Sequence, residues 1–281
     1  MQTYDRDIIL NKITRALNVI LKAIVIVIFI FPFYWMVSTS LKDLTEALQF
    51  PPTLIPSSFH WENFTHVFEV VPIAQYFKNS VIVSITVLVL QYLIIVPAAY
   101  SLSRHEYRGK KLFFGLVLLG QMIPQQITFL PVYFMFSRMK LLGTLIPLII
   151  PFISNPFGIF MLRKYFMQIP QEVIEAAKLD DASNMKIMFK VMMPMAKPAL
   201  VTIGLLSFIS TWNNYFWPLI MTSSETLRTL PVGVAALKSS ETLQMWNIIM
   251  AGNVVLVLPI LIVYIVASKK IRNSFTYSGI K

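Results

Sequence analysis

Three groups of side chains have the types and spacing to do something specific. The first is EAAKLDDASNMKIMFKVMMPMAKP, Glu175 to Pro198, a polar helix-forming island in a very apolar chain. Pro170 suits a first helical turn, and Glu172 and Glu175 fall where the positive end of the dipole favours acid. The spacing predicts a short helix over Pro170–Lys178, with Asp180, Asp181 and Ser183 offering caps for a second one. Ala176 and Ala177 leave a slim surface able to seat in a groove of another protein. In the second helix Met185, Met188, Phe189, Met192 and Met193 form an apolar stripe, with Lys186 and Lys190 on the other face. Such a helix lies along a membrane surface or covers the ends of spans. Taken by itself the stretch reads first as an ordinary loop with an amphipathic helix.

The second group is TWNNYFWPL, Thr211 to Leu219. Aromatic faces suit sugar rings and amides suit hydroxyls, so Asn213, Asn214, Tyr215 and Trp217 are candidates to line a solute path. The same residues also describe an interfacial aromatic belt with a proline kink. The third group is the amides Gln121, Gln125, Gln126 and Asn155 in apolar surroundings, which either line a pathway or bond helix to helix. His60, Glu62 and His66 lie close together, but their spacing fits no common zinc pattern and reads as a surface cluster.

Those groups must be positioned by membrane helices. Of the 281 residues 56% are hydrophobic and 13% charged, and the mean hydropathy is +0.68. Soluble domains carry about 25% charged residues. Six charge-free apolar stretches are long enough to cross about 30 Å of hydrocarbon: Ala23–Leu41, Asn79–Ser103, Leu112–Ser137, Leu141–Leu162, Pro198–Ser224 and Thr242–Ser268. The predicted fold is all-α, one polytopic domain over 1–281 with six transmembrane helices. The polar N-terminal 22 residues and the long apolar run after them read as a retained first span, not a removed signal peptide.

With the N-terminus in the cytoplasm, 18 of the 24 Lys and Arg residues fall inside. Both termini and the 163–197 loop are then cytoplasmic. The basic balance marks topology and anionic lipid headgroups, not nucleic acid. There is no cysteine, no G-x-x-x-x-G-K-[ST], no H-E-x-x-H and no G-x-S-x-G. No His, Asp or Glu lies within the six stretches, which disfavours a membrane enzyme or a proton-coupled carrier.

The Glu175–Pro198 stretch resembles the EAA loop of permease subunits of ATP-binding-cassette (ABC) importers. Glu175, Ala176, Ala177 and Pro194 match; Asp181 stands where that loop has Gly, Val191 where it has Ile, and Met193 where it has Leu. Asp180, Ala182, Phe189 and Pro198 resemble the carbohydrate-importer version. PPTLIPSSFHWENF from Pro51, WNNYFWPL from Trp212, and the tail KKIRNSFTYSGIK, with Ser278 and Gly279, are similar to segments of the maltose and oligosaccharide type. The resemblance implies a type I importer permease in a bacterial or archaeal cell membrane, moving a sugar or oligosaccharide inward. It implies Glu175, Ala176, Ala177, Asp180, Asp181, Ala182 and Pro194 as the surface coupled to an ATPase, and the outer segment Met221–Trp246 as a contact for the binding protein. Implied partners are a second homologous permease, a dimer of ATPases carrying ATP and Mg, and an extracellular solute-binding protein. This chain itself would hold no cofactor and catalyse no reaction. A glycerol-phosphate importer permease is the alternative within the class; a secondary transporter or channel is the alternative outside it.

Overall fold

A computed structural model describes the backbone of residues 2–222, 224–238 and 245–276, and the side chains of 13–222, 224–238 and 245–269. No strand forms among the described residues. In chain order the helices are α1 (Gln2–Ser40), α2 (Leu44–Leu48), α3 (Glu62–Val70), α4 (Ile73–Arg104), α5 (Lys110–Met122), α6 (Gln125–Arg138) and α7 (Ile146–Ile149). There follow α8 (Pro156–Gln168), α9 (Gln171–Leu179), α10 (Asn184–Ile187), α11 (Met193–Met195), α12 (Lys197–Trp212), α13 (Phe216–Met221), α14 (Leu230–Ala236) and α15 (Trp246–Thr276). A π-helical turn over Met188–Met192 joins α10 to α11.

Among the described residues three stretches are long and apolar enough to cross a membrane: Ile13–Ser40, Ile73–Arg104 and Trp246–Lys269. The number reaches six if each of three bent helix pairs counts as one span. The bends have local causes. Leu112–Ser137 reads as one helix in sequence, yet α5 and α6 meet at 93°. Pro124 offers no N–H and drives the residue before it out of the helical region, and Ile123 is indeed extended. The pair Ile146–Phe152 and α8 bends by 40°, where Asn155 caps α8 ahead of Pro156. The pair Asn184–Met195 and α12 meets at 80°, just before Pro198. The predicted 198–224 stretch divides again, into α12 and α13, at Asn213–Tyr215.

The chain forms two compact units, Met1–Val71 with Ala236–Val255, and Pro72–Ala235 with Leu256–Lys281. In the first, α1 leaves large apolar side chains such as Ile20, Phe29 and Phe33 uncovered, as a lipid-facing helix does. In the second, α4 is the common member of two cores. Toward its C-terminus Ile95, Val96 and Ala99 pack with Leu162, Phe166, Ile187, Met192 and Ile203. Toward its N-terminus Val83 and Val87 pack with Leu148, Trp217 and Met221. Its neighbours approach closely through glycine. A Cβ on Gly158 of α8 would stand 2.7 Å from Ile95, and one on Gly204 of α12 would stand 2.3 Å from the Tyr92 hydroxyl.

Candidate functional site

The 163–197 segment forms the two predicted helices, and its residue types account for the join between them. Helix α9 ends at Leu179, and Asp181 takes a left-handed backbone with φ 52°. The Asp181 N–H donates to the Lys178 carbonyl at 3.1 Å, and the Ala182 N–H to the Ala177 carbonyl at 3.0 Å. That pair of bonds is a Schellman closure, in which the residue after the cap must accept positive φ. Glycine does this without strain; aspartate is among the few other residues that tolerate it. Ala177 and Ala182, half-buried, are both packed against the core at the C-terminal end of α4. Ser183 then caps α10, its Oγ accepting from the Lys186 N–H at 3.3 Å.

Glu175, Ala176, Asp180 and Pro194 are left exposed. The predicted apolar stripe is shifted. Ile187, Met188 and Met192 are buried, whereas Met185 is 61% and Phe189 45% exposed. The π turn, with its i→i+5 spacing, breaks the register on which the stripe was read. Leu179, 86% exposed and one turn along α9 from Ala176, is a further uncovered apolar side chain. Asp181→Gly is expected to leave the fold intact or slightly firmer. Asp181→Val should destabilise it by about 1–2 kcal/mol, because a β-branched residue resists positive φ. Thermal melts of the purified variants read this directly.

Beside the middle of α4 lies an open cleft of about 570 Å³. Gln91, Asn155 and Ser207 form its floor. The Asn155 Nδ2 donates to Gln91 Oε1 at 3.2 Å and to Ser207 Oγ at 3.1 Å, and the Ser207 hydroxyl bonds Gln91 Oε1. Gln91 Nε2 donates to the Phe152 carbonyl at 2.7 Å. Gln121 and Gln125 line the same cleft, exposed, with no side-chain hydrogen bond among the described residues. Phe152, Phe157 and Leu206 also line it, and among the described residues no lining side chain is charged. So Asn155 bonds helix to helix, Gln121 and Gln125 present free amides, and Gln126 lies outside the lining. Sequence reading missed Gln91 and Ser207. Gln91 carried a signal, being an amide set among apolar residues near the middle of α4.

The family described as "Binding-protein-dependent transport system inner membrane component" matches residues 91–272. The chain belongs to this family. It is similar to the arabinooligosaccharides transport system permease protein AraQ of Halalkalibacterium halodurans, 32% identical over 262 residues, 92% of this chain and 94% of the relative. It is also 32% identical over 265 residues to the diacetylchitobiose uptake system permease protein NgcG of Streptomyces coelicolor, 93% of this chain and 86% of the relative. Among solved structures, a chain of a bacterial ABC transporter involved in the import of the acidic polysaccharide alginate superposes with a TM-score of 0.80. It is 26% identical and covers 92% of this chain and 96% of its own. The protein is thus a multi-pass ABC importer permease subunit, a non-enzymatic membrane component.

In this permease the aromatic group does not sit together on the cleft. Trp217 is buried at 4% exposure, its Nε1 donating to the Pro147 carbonyl at 2.8 Å, and its ring meets the edges of Phe129 and Phe152. Asn214 Oδ1 accepts the Trp217 N–H at 3.3 Å, so its amide is bound to the first turn of α13. Asn213 and Tyr215 are exposed but outside the cleft lining. His60 Nδ1 meets Glu62 at 2.5 Å and Nε2 meets Ser58, while His66 turns to Glu69. No group of three metal-ligating side chains occurs among the described residues. The predicted tail residues Ser278 and Gly279 and part of the 221–246 segment lie outside the described residues.

The proline-rich loop of the permease is built around one carboxylate. Glu46 accepts from the Thr53 hydroxyl at 2.8 Å and from the Ser57 hydroxyl at 2.9 Å, and also from the Ser57 N–H. Burial alone would raise this carboxyl; the bonds from Thr53 and Ser57, with Lys42 nearby, outweigh it and hold the group below its ordinary 4.5. A folded value below the unfolded one stabilises above pH 4.5, and that stability is lost as pH falls through the folded value. The 44–58 segment should therefore gain hydrogen exchange in acid. Glu46→Gln should open it at neutral pH by about 1 kcal/mol and flatten the acid dependence.

Proposed function

We propose that this permease passes a neutral, hydroxyl-rich solute, a sugar or oligosaccharide, into the cytoplasm. It would work beside a second homologous permease, on solute delivered by an extracellular binding protein. A separate ATPase dimer, holding ATP and Mg, would supply the energy by seating the 163–197 segment. In this reading both termini are cytoplasmic. Glu175 meets a basic group of the ATPase. Ala176 sits at the contact, and Leu179, Met185 and Phe189 of the same segment are uncovered apolar side chains available to it.

The observation that carries the choice of solute is the uncharged cleft with the free amides of Gln121 and Gln125. Amides both donate to and accept from hydroxyls, and Phe152 and Phe157 offer faces to ring carbons. A phosphate ester would call for Arg or Lys, as in other phosphate sites, and the cleft lining has neither. The names of two relatives, for arabinooligosaccharides and diacetylchitobiose, support the same class. The test is uptake by proteoliposomes holding the purified complex with its binding protein. ATP-dependent uptake of a neutral oligosaccharide, reduced in Gln121→Leu and Gln125→Leu, is the expected result. Uptake confined to glycerol phosphate, or driven by an ion gradient without ATP, would refute the reading.

A further inference from the structure

Helix α4 is held at three levels by polar side chains, and each level belongs to a different part of the proposed cycle. At its C-terminal end the Arg104 guanidinium spans the end of α8 and the start of α9. Its Nη2 donates to the Phe166 and Ile169 carbonyls, and its Nη1 to Gln171 Oε1 at 3.2 Å. The Phe166 carbonyl also accepts the Ile169 N–H at 3.3 Å, so the planar cation adds to the closure of α8 and grips the first residue of α9. At mid-height Gln91 holds Asn155, Ser207 and the Phe152 carbonyl at the cleft floor. At the N-terminal end Asn79 Nδ2 donates to the Thr226 carbonyl at 2.8 Å and the Arg228 carbonyl at 2.9 Å. Ser80 Oγ accepts the Leu230 N–H at 2.8 Å, and the Tyr76 hydroxyl donates to Glu225 at 3.1 Å. Between the two ends α4 is one unbroken helix of 32 residues, with Asn79, Ser80 and Gln91 all buried.

We infer that α4 is the strut that carries displacement of α9 to the 224–230 segment at its far end. Arg104 is the positioning residue that fixes α9 to it, and Asn79 the one that fixes 224–230. This rests on the proposed function, in which α9 is moved by the ATPase. A guanidinium shared among three oxygens on two helices does not let α9 shift without α4 or α8. Gly158 and Gly204 let the neighbouring backbones lie against α4 so closely that it moves as a packed body and not by bending a side chain. The two ends are about 37 Å apart along the helix, from 25 residues at 1.5 Å each. At that separation substitutions add unless a common element joins them.

The experiment is a double-mutant cycle in the reconstituted complex with its binding protein, reading ATP hydrolysis with and without loaded binding protein, and solute moved per ATP. Arg104→Gln and Asn79→Ala are each expected to lower the stimulation about tenfold, within the range seen for coupling residues, with basal hydrolysis and assembly unchanged. The double variant is expected to lose roughly the same tenfold and not a hundredfold, because either break already severs one path. A role in folding alone would lower yield, melting temperature and basal hydrolysis together. If Arg104→Gln does not assemble, Arg104→Lys runs the same cycle, since it keeps the charge but cannot reach three acceptors. Losses that multiply, or stimulation as in the unsubstituted complex, would overturn the inference. A complex that holds no ATPase would instead overturn the proposed function, so the two failures are distinct.

Discussion

Replacing Ala176 by tryptophan is expected to abolish uptake while leaving the permease folded and inserted. Ala176 is exposed on α9, with Glu175 beside it and Leu179 at the end of the same helix. Ala176 is exposed, so a large ring there can stand in solvent without displacing the core. It would stand where the proposed ATPase contact needs a slim surface. Disrupting the centre of an interface typically removes 2 kcal/mol or more of binding, about 30-fold. The ATPase should fail to co-purify, and hydrolysis stimulated by the binding protein should disappear. Glu175→Lys reverses a charge at the same surface and should weaken assembly with a salt dependence. Ala177 is the poorer probe. It is half-buried and packed against the core at the C-terminal end of α4, so a large side chain there would damage α9 itself. Normal uptake by Ala176→Trp would remove α9 from the mechanism.

The second large effect concerns stability. Trp217→Ala should destabilise the permease by about 3–5 kcal/mol, the usual range for emptying a buried aromatic site. Its ring fills the space between Phe129 and Phe152, and its Nε1 satisfies the Pro147 carbonyl. Trp217→Phe keeps most of the ring but strands that carbonyl, at about 1–3 kcal/mol. Thermal melts in detergent should rank the three forms in that order. If Trp217 stacked on solute, the phenylalanine form would alter solute preference with its melting temperature unchanged.

Much of the architecture was legible because proline, charge and apolar length act locally. The apolar stretches and the α9 helix, with the Ser183 cap after it, were readable from residue type; the breaks at Pro124 and Pro156 were not, since each of those stretches was read as one span. The value of Asp181 was half legible. Its place in a glycine position looked like a departure, and the left-handed φ shows why aspartate serves there. Other features depend on packing that no local rule supplies. The methionine stripe assumed 3.6 residues per turn, and the π turn at Met188–Met192 redirects it, turning Met185 and Phe189 outward. Trp217 looked like a sugar platform because its type suits one; only the position of Phe129, Phe152 and Pro147 shows it to be an anchor. Gln91 was overlooked among aliphatic neighbours, although a lone amide in a span needs a partner. The Arg104 grip joins residues more than 60 positions apart and leaves no trace in spacing.

The central claim is that α9 of this permease is the surface on which an ATPase acts. The chain has no cysteine, so Ala176→Cys provides a single thiol on that surface. Its rate of reaction with a small maleimide should be measured in the permease pair alone and again in the complete complex. The account predicts a strong loss of reactivity when the ATPase is bound, with Ser58→Cys in the proline-rich loop unaffected. Equal labelling of Ala176→Cys with and without the ATPase, in a complex that still imports solute, would contradict it.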